Sequence, residues 1–268
     1  MIMHSKESLL RDLENLSINP HGTLLVHSSY KSIGEVEGRA DTVLDAFQEY
    51  MEHGLLVLPT HTWSYIDAEN PIFSVKDSKT CVGILTELFR KRENAVRSAH
   101  PTHSVAAIGK DAENFTAGDE YCDTPCRRDS AWGRLLDRNA QIMLVGVDLK
   151  RNTFIHGIEE WANILDRISD TFEPLQSVLE DGTIVDVPSR RHCGLSWSEH
   201  FWKVDEILVN RGAMRIGKFG DAETRICDAR ILTDVLMEML HDLPDLFSDN
   251  EPLDQQTIEH YSRSLTLI

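Results

Sequence analysis

Four short runs of continuous apolar sequence, Leu24 to His27, Leu55 to Thr60, Ser104 to Gly109 and Gln141 to Val147, do most to limit what this chain can fold into. Unbroken hydrophobicity predicts strands covered on both faces, because a strand with one wet face carries polar residues at every second position. Between the runs lie segments with helical patterning: Ala40 to Met51, Thr80 to Arg92, Ser130 to Asp137 and Gly157 to Leu165. Strand and helix in alternation predict a layered α/β domain.

The pattern changes after Pro174. Asp181-Gly182 sits between two strand-like runs within Pro174 to Val187, a strong hairpin signal, and Gly220-Asp221 divides Met214 to Phe219 from Thr224 to Cys227 in the same way. Trp197, Phe201, Val204, Ile207 and Leu208 fall at helical spacing within Ser196 to Asn210, with the aromatic cluster of Trp197, Phe201 and Trp202 expected in the core in preference to a dimer contact. Asp228 to His241 reads as a last amphipathic helix capped by Asp228. With no Pro/Gly/Ser linker and no internal repeat, residues 1–268 are expected to form one compact domain, its polar tail, 248–268, loosely held. A chain of this length buries about three quarters of its unfolded surface, so a substantial core is available.

A formal charge of −17 from 44 acidic and 27 basic side chains excludes nucleic acid as the main partner, since that binding is driven by neutralising phosphates. It suits a cationic small molecule. No apolar run approaches the roughly 18 residues of a membrane span. The odd set of cysteines at 81, 122, 126, 193 and 227 reads as free thiols, and Met1 to Glu7 lacks the apolar core of a signal peptide, so the expected compartment is the cytoplasm.

The chemistry concentrates after the fourth run, in Asn152-Thr153-Phe154-Ile155-His156-Gly157-Ile158-Glu159-Glu160. Residues three and four apart are neighbours on a helix, so Glu159 or Glu160 can hold the His156 ring, which is the arrangement a general base needs. The helix dipole opposes a charged imidazole here while a carboxylate favours one. Spacing does not choose between the glutamates; Glu160, a full turn on, is the preferred partner. Three more polar segments fall at strand ends: His27-Ser28-Ser29-Tyr30-Lys31-Ser32-Ile33-Gly34, Pro59-Thr60-His61-Thr62-Trp63-Ser64-Tyr65 and His100-Pro101-Thr102-His103-Ser104. Loops leaving the carboxyl ends of strands form the binding crevice of α/β sheets, and the serine-rich turn offers amides and hydroxyls to a phosphate or an extended ligand.

In order and at suitable spacing, "HSSYKSIG", "LLVLPTHTWSY", "HPTHSVAAIG", "SAWGRLL", "IMLVGV" and "NTFIHGIEE" resemble the aminoglycoside N3-acetyltransferase family from about Leu24 to Asp228. The resemblance implies a three-layer α/β/α sandwich with a mixed sheet and added antiparallel hairpins. It implies acetyl transfer from acetyl-coenzyme A to an amine, in the first place the 3-amino group of an aminoglycoside antibiotic. His156 falls at the family's catalytic histidine, and Glu159 or Glu160 at the acidic position that orients it. Ser28, Ser29, Lys31, Ser32, Ile33 and Gly34 correspond to the region that receives the pantetheine arm and phosphates. Ser130 corresponds to the small polar position near the thioester, and His103 and Ser104 to the histidine-proline motif lining the same region. His61 and Tyr65 are then left for the acceptor. Cys126 to Ala131 departs from the family's pattern, and Arg127 or Arg128 there is expected to meet a coenzyme phosphate. The state is a monomer or homodimer, and no metal is expected.

Other readings remain at this stage. A non-aminoglycoside amine fits the same chemistry, and so does a fold kept only for binding. His61, His100, His103, His156 and Glu160 supply enough ligands for a zinc hydrolase, although "HPTH" is not a helical pair. A cysteine acyltransferase would use one of the five thiols, with His192-Cys193 the suggestive pair, although neighbours in an extended segment point to opposite faces.

Overall fold

Strand and helix alternate as the apolar runs require in the computed structural model, which describes residues 3–193 and 197–263. The first half comprises α1 (Lys6–Asn15), β1 (Thr23–Ser28), α2 (Arg39–Tyr50), β2 (Leu55–Pro59), β3 (Ile72–Ser74), α3 (Ile84–Phe89), β4 (Val96–Arg97), β5 (Val105–Gly109) and α4 (Ala112–Thr116). Then follow α5 (Ala131–Asp137), β6 (Gln141–Val145), α6 (Thr153–Trp161), β7 (Glu173–Val178), β8 (Ile184–Ser189) and α7 (Asp205–Asn210). The hairpin β9 (Met214–Phe219) and β10 (Ala222–Asp228) leads into α8 (Ala229–Asp242) and α9 (Gln255–Ser262).

Seven strands form the main sheet in the order β4-β5-β2-β1-β6-β10-β9. β1 runs parallel to β2 and β6 at its centre, and the outer pairs are antiparallel. Successive strand side chains point to opposite faces. Leu25, Val57, Ile142 and Leu144 therefore pack on one side against Trp132, Phe154, Ile158, Val235 and Leu236 of α5, α6 and α8. Leu24, Val26, Leu58, Met143 and Val145 pack on the other against Leu9 and Leu13 of α1, Phe47 of α2 and Phe89 of α3. Each fully buried leucine among these contributes about 1.5–3 kcal/mol. Helices on both faces make the three-layer α/β/α sandwich, and both expected hairpins form, β7 with β8 and β9 with β10.

Three expectations are corrected. The helix anticipated over Thr80 to Arg92 is only Ile84–Phe89, because Gly83 has φ 118°, a backbone no helix continues through. The segment before α7 winds as a 3₁₀ turn at Trp197–Val204, with Phe201 buried, Trp202 exposed, and Ser196 outside the described residues. The tail is held as far as it is described: Tyr261 of α9 is buried, its carbonyl accepts from Arg211 Nη1 at 3.0 Å, and its hydroxyl donates to Asp242 at 3.1 Å.

Topology assembles the polar segments. The carboxyl ends of β1, β2 and β6 lie side by side. β5 is antiparallel to β2 with Val105 opposite Pro59, so the start of β5, with His100 to Ser104, meets the end of β2, with Thr60 and His61. A second sheet, β3-β7-β8, returns the chain through a bridge between Ile168 and His192, which delivers His192 to α6.

Candidate active site

At these strand ends is a cavity of about 620 Å³ whose lining includes His27, Ser28, His61, His103, His156 and His192. His156, the fourth residue of α6, places Nδ1 2.7 Å from Glu159 Oε2. Glu159 is fully buried and receives a two-pronged bond from Arg167, Nε to Oε1 and Nη2 to Oε2, each 3.0 Å. Burial works to raise the Glu159 carboxyl, but the hydrogen bond and charge of His156 and the Arg167 guanidinium outweigh it, and the group sits below the ordinary range. An ionised carboxylate only accepts, so the 2.7 Å contact calls for a proton on Nδ1, and Nε2 has no partner among the described residues.

Glu160, preferred on spacing, is not the partner of His156. Its Oε1 meets His192 Nε2 at 2.6 Å and accepts from the Cys126 amide at 2.9 Å. Tertiary partners explain the exchange: i+3 and i+4 both reach back on a helix, but Arg167 holds Glu159 beside His156, while the Cys126 amide and His192 hold Glu160. Gly157 permits the close packing there, since a Cβ at that position would lie 2.9 Å from the Trp161 ring and 3.3 Å from Cys126 Cβ. Glu160 has no arginine, and burial pushes its carboxyl up to about 7 despite hydrogen bonds from Thr124 and Cys126. His156 and His192 stand with ring centroids 4.8 Å apart.

The remaining histidines form a neutral wall. Burial lowers His27 to about 3 and His100 to about 4, and holds His61, His103 and His192 well below the usual imidazole range. Trp132 backs them, donating from its indole to the His103 carbonyl at 3.0 Å.

Of the residues expected at the coenzyme, Ser28 and His103 line this cavity, and Ser32 lines an adjoining one of about 650 Å³. The two cavities share Val147, Lys150 and Arg151. Gly146, at φ 62°, closes the turn under Ser32, where a Cβ would come within 2.3 Å of the serine's own. Ser29 is hydrogen-bonded to Ser32 at 3.0 Å, Lys31 is exposed on the same 3₁₀ turn, Ile33 is buried with its carbonyl accepting from Asp221, and Gly34 lies against Asp221.

Other expected residues do not reach the cavity. Ser130 is buried as the cap of α5, donating to the Arg127 carbonyl at 2.7 Å and accepting from the Trp132 amide. Ser104 donates to the Thr60 carbonyl at 2.9 Å and joins β5 to β2. Arg127 pairs with Asp129 and Asp123 of its own loop, and Arg128 with Asp137 at the end of α5, so nearby acidic groups satisfy both. His61 lines the cavity, but Tyr65 donates to the Lys79 carbonyl outside it.

The zinc reading and four of the five thiols find little support, and the fifth thiol, Cys81, lines the cavity. Cys126 is held well above the ordinary thiol range, and Cys122 and Cys227 are pushed up to about 12, all chiefly by burial. Cys193 donates to the Asp166 carbonyl at 3.1 Å while its neighbour His192 turns to Glu160, so the pair does not act together. Members of the zinc set are engaged elsewhere: His100 Nδ1 accepts from the Thr102 and His103 amides, His156 is held by Glu159 and Glu160 by His192. One trio among the described residues, Cys126, Glu160 and His192, has its donor atoms within 4.8 Å of one another, and it is not that set.

Sequence reasoning missed His27, His192, Arg167, Lys150 and Arg151. His27 opens the first strand-end motif, and in sequence His192 is marked only by its neighbour Cys193. Arg167 gave no local signal, because its partner lies eight residues away across a turn.

A mixed sheet with helices on both faces, its central strands ending at a cavity lined by a carboxylate-held histidine, places the chain among α/β enzymes with a strand-end site. Within that class, the chain belongs to the aminoglycoside 3-N-acetyltransferase family, whose model matches residues 25–241. It is 28% identical over 245 residues to aminoglycoside N(3)-acetyltransferase IV of Salmonella sp, covering 90% of this chain and 89% of the relative. It is 26% identical to the SPbeta prophage-derived aminoglycoside N(3')-acetyltransferase-like protein YokD of Bacillus subtilis (strain 168), over 83% of this chain and 87% of that one. A variant of aminoglycoside acetyltransferase AAC(3)-IVa in complex with a gentamicin superimposes with a TM-score of 0.80 at 27% identity, covering 92% of each chain. No helix among the described residues is long and apolar enough to cross a membrane.

Proposed function

We propose that this protein moves the acetyl group of acetyl-coenzyme A to an amine, with the 3-amino group of an aminoglycoside as acceptor. The observation that carries the reading is the His156–Glu159 pair at the cavity, in a chain of this family. Glu159 fixes the proton on Nδ1, and Nε2 takes a proton from the amine as its nitrogen attacks the thioester carbonyl. The carbon–nitrogen bond forms, the carbon–sulfur bond breaks, and coenzyme A leaves as thiol without a covalent enzyme intermediate. A positioned base contributes about a hundred- to ten-thousand-fold, and alignment of amine and thioester supplies much of the rest. The coenzyme runs through the adjoining cavity, past Ser28 and Ser32, with Lys150 and Arg151 toward its phosphates. Acetylation removes a cation from the drug, so resistance is the expected consequence, in a cytoplasmic setting.

A second acceptor class is favoured by one observation. The main cavity is lined by Lys150, Arg151 and Arg191, while its one carboxylate among the lining residues, Glu199, is tied to Lys150. A polycation gains little there despite the net charge of −17, so an amine with fewer charges is the alternative.

Thiol release from acetyl-coenzyme A, measured against a panel of amines with aminoglycosides first, tests both. Release with aminoglycosides supports the first acceptor, and release only with other amines supports the second. His156→Ala should lower turnover about a hundred- to ten-thousand-fold. Unchanged turnover in that variant would overturn the mechanism.

A further inference from the structure

Consecutive residues of α6 each hold a histidine, and the acetyl-transfer reading uses only one of the two pairs. Attack at a thioester joins two proton movements on one carbon: the incoming nitrogen loses a proton and the departing sulfur gains one. Groups serving the two atoms must stand within a few ångströms of each other. His156 and His192 do so, with centroids 4.8 Å apart and rings tilted by 37°. Both line the cavity.

We propose that His192, held by Glu160, is the general acid of the transfer, donating from Nδ1 to the coenzyme sulfur as His156 Nε2 takes the proton of the attacking amine. In this step the nitrogen lone pair forms the new bond to the carbonyl carbon, and the pair of the carbon–sulfur bond goes to sulfur. The sulfur takes the Nδ1 proton, and His192 takes the Glu160 carboxyl proton at Nε2, across the 2.6 Å contact. His192 ends neutral in its other tautomer, Glu160 ends ionised, and His156 ends protonated. Return of the His156 proton to Glu160 through solvent restores the site.

The geometry fits. Nε2 of His192 is occupied by Glu160, and Nδ1 has no partner among the described residues, so Nδ1 is the nitrogen available to a ligand. The groups facing His192 are His156, Glu159 and Glu160 of α6, Arg167 beyond it, Cys126 of the loop before α5, and His103 at the start of β5. His61 and His100 stand behind His103. Burial keeps these three histidines unprotonated and the Cys126 thiol unionised, and Glu159 is ionised, which leaves Glu160 as the carboxyl able to store a proton at neutral pH. This inference rests on the acetyl-transfer reading and adds the fate of the sulfur.

A change of leaving group tests it. With acetyl-coenzyme A and an amine the wild type accepts, His192→Phe should lower kcat about a hundred-fold, and Glu160→Gln, which can still accept from the Cys126 amide, at least ten-fold. With S-phenyl thioacetate, whose thiolate leaves without a proton, both variants should recover to within about three-fold of wild type, while His156→Ala should stay impaired with both thioesters. The pH dependence of kcat should lose an ionisation near neutrality in both His192 and Glu160 variants. Equal losses with both thioesters, or full activity with acetyl-coenzyme A, overturn the role of His192 and leave the base reading standing. If the wild type transfers acetyl to no amine, the base reading falls and this assignment with it.

Discussion

Glu159 and Glu160 are adjacent on one helix, both withdrawn from water, and each holds a histidine, yet they ionise differently. Glu159 lies below the ordinary carboxylate range and Glu160 is pushed up to about 7. The difference is the company each keeps: Glu159 has the hydrogen bond and charge of His156 together with Arg167, which grips it through two nitrogens and does not touch Glu160. Burial by itself therefore does not set the charge of a carboxyl; the charge of what is buried with it does. One helical segment thus presents a fixed anion to one imidazole and a protonatable group to the next, two roles set by environment.

The largest expected effect comes from removing the cation. Arg167→Met leaves Glu159 buried without its counter-charge, and breaking a buried pair from one side costs about 3–5 kcal/mol. Without the arginine, the folded-state pKa of Glu159 rises above its unfolded value. Its contribution is then kept at low pH and lost as pH rises, so urea denaturation should show a larger destabilisation at pH 8 than at pH 5. A loss below about 1 kcal/mol that is equal at both pH values would break the comparison, since that is the level of an exposed pair.

How far this arrangement was legible follows from the same residues. The continuous runs specified β1, β2, β5 and β6, because burial on both faces leaves no other pattern. The two hairpins and the Asp228 cap followed from local turn and cap chemistry, and Asp228 accepts from the Arg230 and Ile231 amides at 3.0 Å. His156 stood out through its spacing to the glutamates. The choice of glutamate did not, because i+3 and i+4 both reach back on a helix and Arg167 and the loop at Cys126, which decide it, are brought in by tertiary packing. His192 was illegible for the same reason, arriving through an isolated bridge after a separate sheet. Ser130 and Arg127 were misplaced because cap and loop contacts satisfy polar groups that sequence leaves free.

A second test changes Glu160 and leaves Arg167 alone. Its folded pKa of about 7 lies above the ordinary value of 4.5, so the group's stabilising contribution is complete below pH 4.5 and is lost as pH rises through 7. At about 1.4 kcal/mol per unit the cost of keeping it buried and ionised is about 3 kcal/mol by pH 8. Glu160→Gln removes that dependence, so its stability relative to wild type should improve by about 2.5 kcal/mol between pH 5 and pH 8 in matched denaturation curves. Taking the difference between the two proteins cancels the opposite slope from the buried neutral histidines. Glu159→Gln should show no such gain, since its carboxylate is favoured in the folded state. A flat difference for Glu160→Gln would mean that His192 already balances its charge.

The smallest expected effect acts through the backbone rather than the charges. Gly157→Ala places a methyl 2.9 Å from the Trp161 ring and 3.3 Å from Cys126 Cβ, where the indole donates to the Cys126 carbonyl at 2.8 Å. Overpacking of this kind costs about 1–3 kcal/mol, partly offset by about 1 kcal/mol of helix propensity gained over glycine. The net loss should be about 1 kcal/mol in thermal or urea denaturation. The strain falls on the loop whose Cys126 amide donates to Glu160, whereas Glu159 is gripped by Arg167 rather than by that loop. Imidazole nitrogen shifts should therefore move for His192 and stay in place for His156. Equal movement of both rings would show that the two pairs respond as one unit, and the independence of the neighbouring glutamates would then be lost.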